Sequence, residues 1–301
     1  MSAAGLNHEF GIPGAVLFEE RDGLAQARLI CAAGTAEIAL QGGHVFSWIA
    51  AGQYEPVLWL SRDAKFAPGK SLRGGTPVCW PWFGPAAEKD FPAHGFARTA
   101  LWQVRDSGVA DDGAAWLTLE LQQTAMPPAM WPHASALTLS IRLGATLQLA
   151  LTTRNMGNHA FVLGEALHTY FNISDIGSVN VSGLDGVEYW DTVGQVEKKR
   201  QSGAIAFAQE TDRVYIDAPQ TCVIDDDGYA RRIRISKSDS LSTVVWNPWT
   251  AKAERMGDLG QPDGWRQMLC VESANAWDNK ITLSPGETHT LTVEYAVETF
   301  K

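Results

Sequence analysis

Apolar and polar residues alternate along most of this chain with a period of two. Leu137, Leu139, Ile141 and Leu143 are separated by Thr138, Ser140 and Arg142, and after a turn at Gly144 the pattern resumes at Leu147, Leu149 and Leu151. Successive side chains of a strand point to opposite faces, so this spacing predicts an amphipathic hairpin with one buried face. The same alternation recurs at Leu117, Leu119 and Leu121, at Ile233 and Ile235, and at Leu291, Val293, Tyr295 and Val297. Between such runs lie Asp111-Asp112-Gly113, Asp225-Asp226-Asp227-Gly228 and Ser284-Pro285-Gly286, whose residues supply the positive or fixed φ that turns need. No segment carries a helical stripe of three turns. Short strands from end to end, with no Ser/Gly-rich or charged linker between them, predict one all-β domain over residues 1–301, an antiparallel sandwich.

With 301 residues, 45% of them hydrophobic, the chain can bury a sizeable core. A formal net charge of −10 argues against a general affinity for nucleic acid or an anionic membrane, either of which needs a basic face. An anionic small substrate would need a local cationic pocket. No window approaches the roughly 18 unbroken apolar residues of a spanning helix, and Met1-Ser2-Ala3-Ala4 does not begin a basic-then-apolar leader, so the cytoplasm is the expected location. Cys31, Cys79, Cys222 and Cys270 are too scattered for a disulfide framework and are expected as mostly buried thiols.

Several motifs fail on inspection. Gly69-Lys70-Ser71 ends like a phosphate loop, but Ala64 stands where the first glycine is required. The Asp225–Gly228 run has Ser236 where a calcium loop would place its bidentate Glu, and a solvated turn is expected there instead. The seven histidines show neither His-x-His nor His-Glu-x-x-His spacing, and there is no Gly-x-Ser-x-Gly elbow.

Four segments place polar residues in apolar, Gly- and Trp-rich surroundings. In Leu72-Arg73-Gly74-Gly75-Thr76-Pro77-Val78-Cys79-Trp80-Pro81-Trp82 an arginine precedes paired glycines and an aromatic run. Glycines permit close approach, and a guanidinium fork matches phosphate or carboxylate oxygens; a surface Arg beside a turn fits the segment equally well. Pro92-Ala93-His94-Gly95-Phe96-Ala97-Arg98 supplies a second arginine, and the two could converge on one anion. His168, in Gly164-Glu165-Ala166-Leu167-His168-Thr169-Tyr170-Phe171-Asn172, reads by itself as a buried histidine satisfied by a carbonyl. Glu272 ends the apolar run Met268-Leu269-Cys270-Val271, where a doubly buried strand would make an unpaired carboxylate costly unless it reaches solvent.

Together these motifs resemble the hexose-6-phosphate mutarotases (glucose-6-phosphate 1-epimerases), a branch of the aldose 1-epimerase, galactose mutarotase-like superfamily. The resemblance rests on Arg73-Gly74-Gly75, His94-Gly95-Phe96-Ala97-Arg98, His168-x-Tyr170-Phe171-Asn172, Asp212-Arg213-Val214-Tyr215, Val245-Trp246-Asn247-Pro248-Trp249 and Cys270-Val271-Glu272-Ser273-Ala274-Asn275. It implies an antiparallel β-supersandwich with a sugar cleft on one face. It further implies His168 and Glu272 as the catalytic pair, Arg73 and Arg98 as residues that hold the substrate through its phosphate, Asp212 as a substrate-binding acid and His94 as their neighbour. Ala93 departs from a glutamine that some members carry before the His-Gly pair, which puts one hydrogen bond to the sugar in question.

The implied chemistry opens the hemiacetal by removing the C1 hydroxyl proton while the ring oxygen gains one. From reference pKa values near 4.3 and 6.5, Glu272 suits the base as a carboxylate and His168 the acid as an imidazolium. No metal, nucleotide or other cofactor is required. The expected partner is a small sugar phosphate, with no nucleic acid or membrane involved, and a monomer is expected. Trp80, Trp82, Trp246 and Trp249 are the candidates to line the cleft, with one or two of them doing so. A mutarotase for unphosphorylated aldoses is the alternative within the family. A carbohydrate-binding module would share the sandwich without needing an Arg pair, and a glycosidase would need two carboxylates across the scissile bond.

Overall fold

The computed structural model describes residues 1–260 and 262–300. Alternating side chains dictate the architecture, and every pairing between strands is antiparallel. Residues 16–50 form a four-stranded meander, Val16–Arg21, Leu24–Cys31, Gly34–Ala39 and His44–Ala50. A nine-stranded sheet runs from Ile205–Ala206 at one edge to Gln103–Val109 at the other. The hairpin read from the alternation lies within it as Ser135–Leu143 and Leu147–Asn155, with Leu139 opposite Leu151, Ile141 opposite Leu149 and Leu143 opposite Leu147. All six are buried. Each such aliphatic side chain contributes about 1.5–3 kcal/mol by leaving water.

An eight-stranded sheet completes the layers. Its main path runs from Glu197–Arg200 through Glu188–Asp191, Thr211–Tyr215, Ser242–Asn247, Met268–Asn275 and Glu165–Leu167 to Val78–Cys79, and Tyr170–Asn172 also pairs with Met268–Asn275. One continuous apolar cluster takes Leu29 and Trp48 from the meander, Leu139 and Val293 from the nine-stranded sheet, and Val245 and Val271 from the eight-stranded sheet. Tyr295 of the nine-stranded sheet meets Phe171 edge-on at 5.3 Å, so aromatic packing joins the two large layers.

The helices are short. Ala3–Phe10 and Trp249–Met256 have eight residues each, too few to register as a three-turn stripe. Among the described residues no helix is long and apolar enough to cross a membrane. All four cysteines carry unbridged thiols, and Cys79, Cys222 and Cys270 are buried.

The Asp225–Gly228 expectation needs correction. Cys222–Asp226 is a strand, and Asp226 is fully buried with its carboxylate accepting from the Ser174 backbone N–H at 3.0 Å and from the Ser174 hydroxyl. Only the following residues turn. The acidic run reads as solvated because its partner, Ser174, lies far away in the sequence.

Candidate active site

Strand register assembles the site on one face of the eight-stranded sheet. Val214 stands opposite Val244, and Val244 opposite Glu272. In the next row Asp212 stands opposite Trp246, Trp246 opposite Cys270, and Cys270 opposite Tyr170. Leu167 pairs with Ser273 and Tyr170 with Cys270, so the same register carried across the break at His168 and Thr169 puts His168 across from Glu272. Residues two apart on a strand share a face. Asp212, Val214, Val244, Trp246, Glu272, His168 and Tyr170 therefore line a single cavity of about 420 Å³, a size that suits a small organic ligand.

His168 Nδ1 lies 3.3 Å from Glu272 Oε1, and both side chains are nearly closed to solvent. Burial dominates their ionisation. It holds the His168 imidazole well below its ordinary range, helped by repulsion from His94 whenever both rings would be protonated and by the positive charges of Arg73 and Arg98, and it pushes the Glu272 carboxyl well above its ordinary range, helped by Asp212. The carboxylate and imidazolium expected from reference values are thus not the state this environment favours. The neutral acid and neutral imidazole hold the same proton count, with the proton on the carboxyl. The Tyr170 ring lies flat on His168 at 4.8 Å and 5°, and Trp246 meets the imidazole edge-on at 6.1 Å, which fixes its plane.

The opposite wall comes from loops. Arg73 is braced by Asp258, whose Oδ2 accepts from both Nε and Nη2 at 3.0 Å, while Arg73 Nη1 donates to the Tyr170 hydroxyl at 3.0 Å. The side-on fork of Arg73 is therefore occupied, and its Nη1/Nη2 end remains the part available for an anion. Gly75 lets this loop pass: its φ is +63°, and a Cβ there would sit 2.5 Å from the Val45 carbonyl oxygen and 2.7 Å from His44 Nε2. His44, which burial lowers to a pKa of about 4, donates from Nε2 to the Gly74 carbonyl at 2.7 Å and anchors the loop from below.

Arg98 Nη2 donates to the Ala93 carbonyl at 2.7 Å. Position 93 thus acts through its backbone to fix the second arginine, whatever hydrogen bond its methyl side chain forgoes. His94 holds φ = +65°, a conformation costly for a residue with a side chain. Reciprocal bonds sustain it: its N–H donates to the Gly84 carbonyl at 2.7 Å, and the Gly84 N–H donates to His94 Nδ1 at 3.3 Å. Burial, with Arg98 and Arg73 nearby, lowers His94 to about 4, so it stands neutral with Nε2–H as its remaining donor. Asp212, which burial raises above its ordinary range, is paired with Lys252 Nζ at 3.3 Å.

The structure thus brings His168, Glu272, Arg73, His94, Arg98 and Asp212 around one cavity. The tryptophan expectations divide. Trp246 lines it, whereas Trp80 is core and donates to Thr153, Trp82 stacks on Phe91, and Trp249 packs on Trp265. Trp277 takes the second place at the cavity and stacks on Trp190 at 5.9 Å. Tyr170 lay inside the His168-x-Tyr170 motif, Lys252 just after the Trp-Asn-Pro-Trp segment and Trp277 just after Asn275, so proximity to motifs could have flagged them. Asp258 carried no such signal. His168, Cys270 and Glu272 also bring one potential metal-ligand atom each within 4.8 Å of the others.

The antiparallel β architecture places the chain in the mutarotase-like class of folds. The aldose 1-epimerase family model matches residues 28–296, and the chain belongs to that family. It is accordingly an isomerase of the epimerase type. A relative from Escherichia coli (strain K12), 44% identical over 243 residues that span 80% of each chain, bears the description "Putative glucose-6-phosphate 1-epimerase". One from Cenchrus ciliaris with the same description is 38% identical over 261 residues, 84% of this chain and 78% of the relative. The crystal structure of "a putative mutarotase" from Salmonella typhimurium superimposes with a TM-score of 0.89, at 34% identity over 96% of both chains.

Proposed function

We propose that this enzyme interconverts the α and β anomers of a hexose 6-phosphate, with D-glucose 6-phosphate as the substrate. The observation that carries the reading is that two guanidinium groups, Arg73 and Arg98, open on the same cavity as the His168–Glu272 pair in a protein of net charge −10. A phosphate monoester near its dianion finds there the charge that the protein as a whole lacks.

Ring opening begins with a proton transfer within the pair, from Glu272 to His168 across their 3.3 Å contact. Phosphate on Arg73 and Arg98 cancels part of the positive potential that, after burial, depresses His168, and so favours this transfer. Glu272 then takes the proton from the C1 hydroxyl while His168 gives one to the ring oxygen, breaking the C1–O5 bond and leaving the aldehyde. Rotation about C1–C2 presents the other carbonyl face. The open-chain C5 hydroxyl attacks it, His168 accepts that hydroxyl's proton, and Glu272 returns one to O1. Protons and electrons balance with no cofactor. In this reading His94 Nε2–H and Asp212, which line the cavity, bind sugar hydroxyls, and Trp246 and Trp277 pack on the apolar face of the ring.

The test measures anomer exchange of glucose and glucose 6-phosphate in the wild type, Arg73→Ala and Arg98→Ala. A charge-assisted hydrogen bond is worth about 1.5–3 kcal/mol, so kcat/KM for the phosphorylated sugar should fall roughly ten- to a hundredfold while that for glucose changes little. Equal losses for both sugars would assign the arginines to the fold or the ring and overturn the phosphate reading.

A further inference from the structure

A second concavity, of about 830 Å³, adjoins the first at Arg73, which lines both. Around it stand Arg62, Lys65, Lys70 and Arg73, against the carboxylates of Asp63 and Asp258. Asp258 is committed to Arg73, and Asp63 Oδ2 accepts the Gly260 N–H at 3.0 Å. Neither Lys65 nor Lys70 makes an ion pair among the described residues. In a chain with ten more acidic than basic side chains, this is a local excess of positive charge beside the reaction cavity.

The loop that presents these cations is braced. The Gln41 side chain donates to the carbonyls of Ala67 at 3.0 Å and Lys70 at 2.8 Å, and its Oε1 accepts the Gly69 N–H at 2.8 Å. At the other end the Ser61 hydroxyl donates to the Asp258 carbonyl at 2.7 Å. Gly69-Lys70-Ser71, which fails as a nucleotide loop, thus belongs to a segment tied at one end to Gln41 and at the other to the Asp258 loop that braces Arg73.

We propose that this concavity is an antechamber that gathers phosphate monoester dianions and passes them to Arg73. The proposal rests on the sugar-phosphate reading above. Fixed like charges at the mouth of a cleft raise the local concentration of an oppositely charged ligand and its association rate, and the effect fades as salt screens it. Lys65 and Lys70 lie outside the reaction cavity, so they act on capture and leave the chemical step alone.

The experiment is the double variant Lys65→Glu/Lys70→Glu, assayed with glucose 6-phosphate and glucose from low to high ionic strength. At low salt kcat/KM for glucose 6-phosphate should fall about tenfold with kcat unchanged, glucose should be unaffected, and the two proteins should converge at roughly 1 M salt, where the screening length is about 3 Å. Equal kcat/KM at low salt, a loss that persists at high salt, or an equal loss for glucose would each overturn the antechamber. If the wild type turned over both sugars equally, the substrate reading would fail by itself. The antechamber is then read from inorganic phosphate as an inhibitor of glucose exchange: weaker inhibition of the variant at low salt supports it, and identical inhibition overturns it.

Discussion

Replacing Glu272 by Gln tests the proposed chemistry with little disturbance of shape. The side chain is 1% exposed, one carboxyl oxygen lies 3.3 Å from His168 and the other has no protein partner. Gln keeps the volume and can occupy the same contact, but it cannot carry a proton between O1 and the imidazole. Loss of a general acid–base group typically costs 10²–10⁴-fold, or about 2.7–5.4 kcal/mol of transition-state stabilisation. Because Gln keeps the volume and burial already disfavours a charge at this position, Tm should move by no more than about 3 °C. His168→Gln should lose as much, and the double variant little more than either alone, since the two residues relay one proton. Magnetisation transfer between the α and β C1 protons measures the exchange directly. A folded Glu272→Gln variant with a rate within about threefold of the wild type would refute the assignment, and losses that multiply in the double variant would refute the relay.

Two further outcomes follow from buried groups. The pair works with one proton, so the pH profile of kcat/KM should be a bell. Its acid limb marks uptake of a second proton by His168 and its alkaline limb the loss of the last one from Glu272; because burial lowers the first and raises the second, the acid limb should fall below pH 6.5, and one at or above that value would contradict the reasoning. Elsewhere, Asn275 Nδ2 donates to the buried Glu165 at 3.0 Å and to the Asp239 carbonyl at 2.8 Å. Asn275→Ala strands these acceptors and should cost about 3 kcal/mol, visible as a Tm lowered by roughly 6 °C, whereas an unchanged Tm would show that His289, 3.0 Å from Glu165, suffices alone.

Much of this arrangement was legible before any coordinates. Period-two alternation located the Leu137–Leu151 hairpin because a half-buried strand writes its burial directly into sequence. His168 and Glu272 were readable through their motifs, although local sequence left each open to a bland interpretation. The direction in which burial moves their pKa values was not, because reference values know nothing of burial. Asp258 was invisible because it reaches Arg73 across 185 positions of chain from an unremarkable loop. The choice among tryptophans was only partly legible for a related reason: composition announces an aromatic cleft, but only register decides that Trp246 faces it while Trp80 faces the core.

Every residue of Met268–Asn275 is buried, and the strand is paired along both edges. Its amides can exchange with solvent only through large openings, so they should report the whole molecule's unfolding free energy. The proposed proton shuttle is thereby mounted on one of the slowest-moving parts of the protein. Adaptation to a different sugar has little room on that strand, where each substitution taxes folding, and far more in the surrounding loops that carry Arg73, His94, Arg98 and Trp277. Divergence within such a lineage should therefore be sought at the rim, with the floor of the cleft held constant by stability as much as by chemistry.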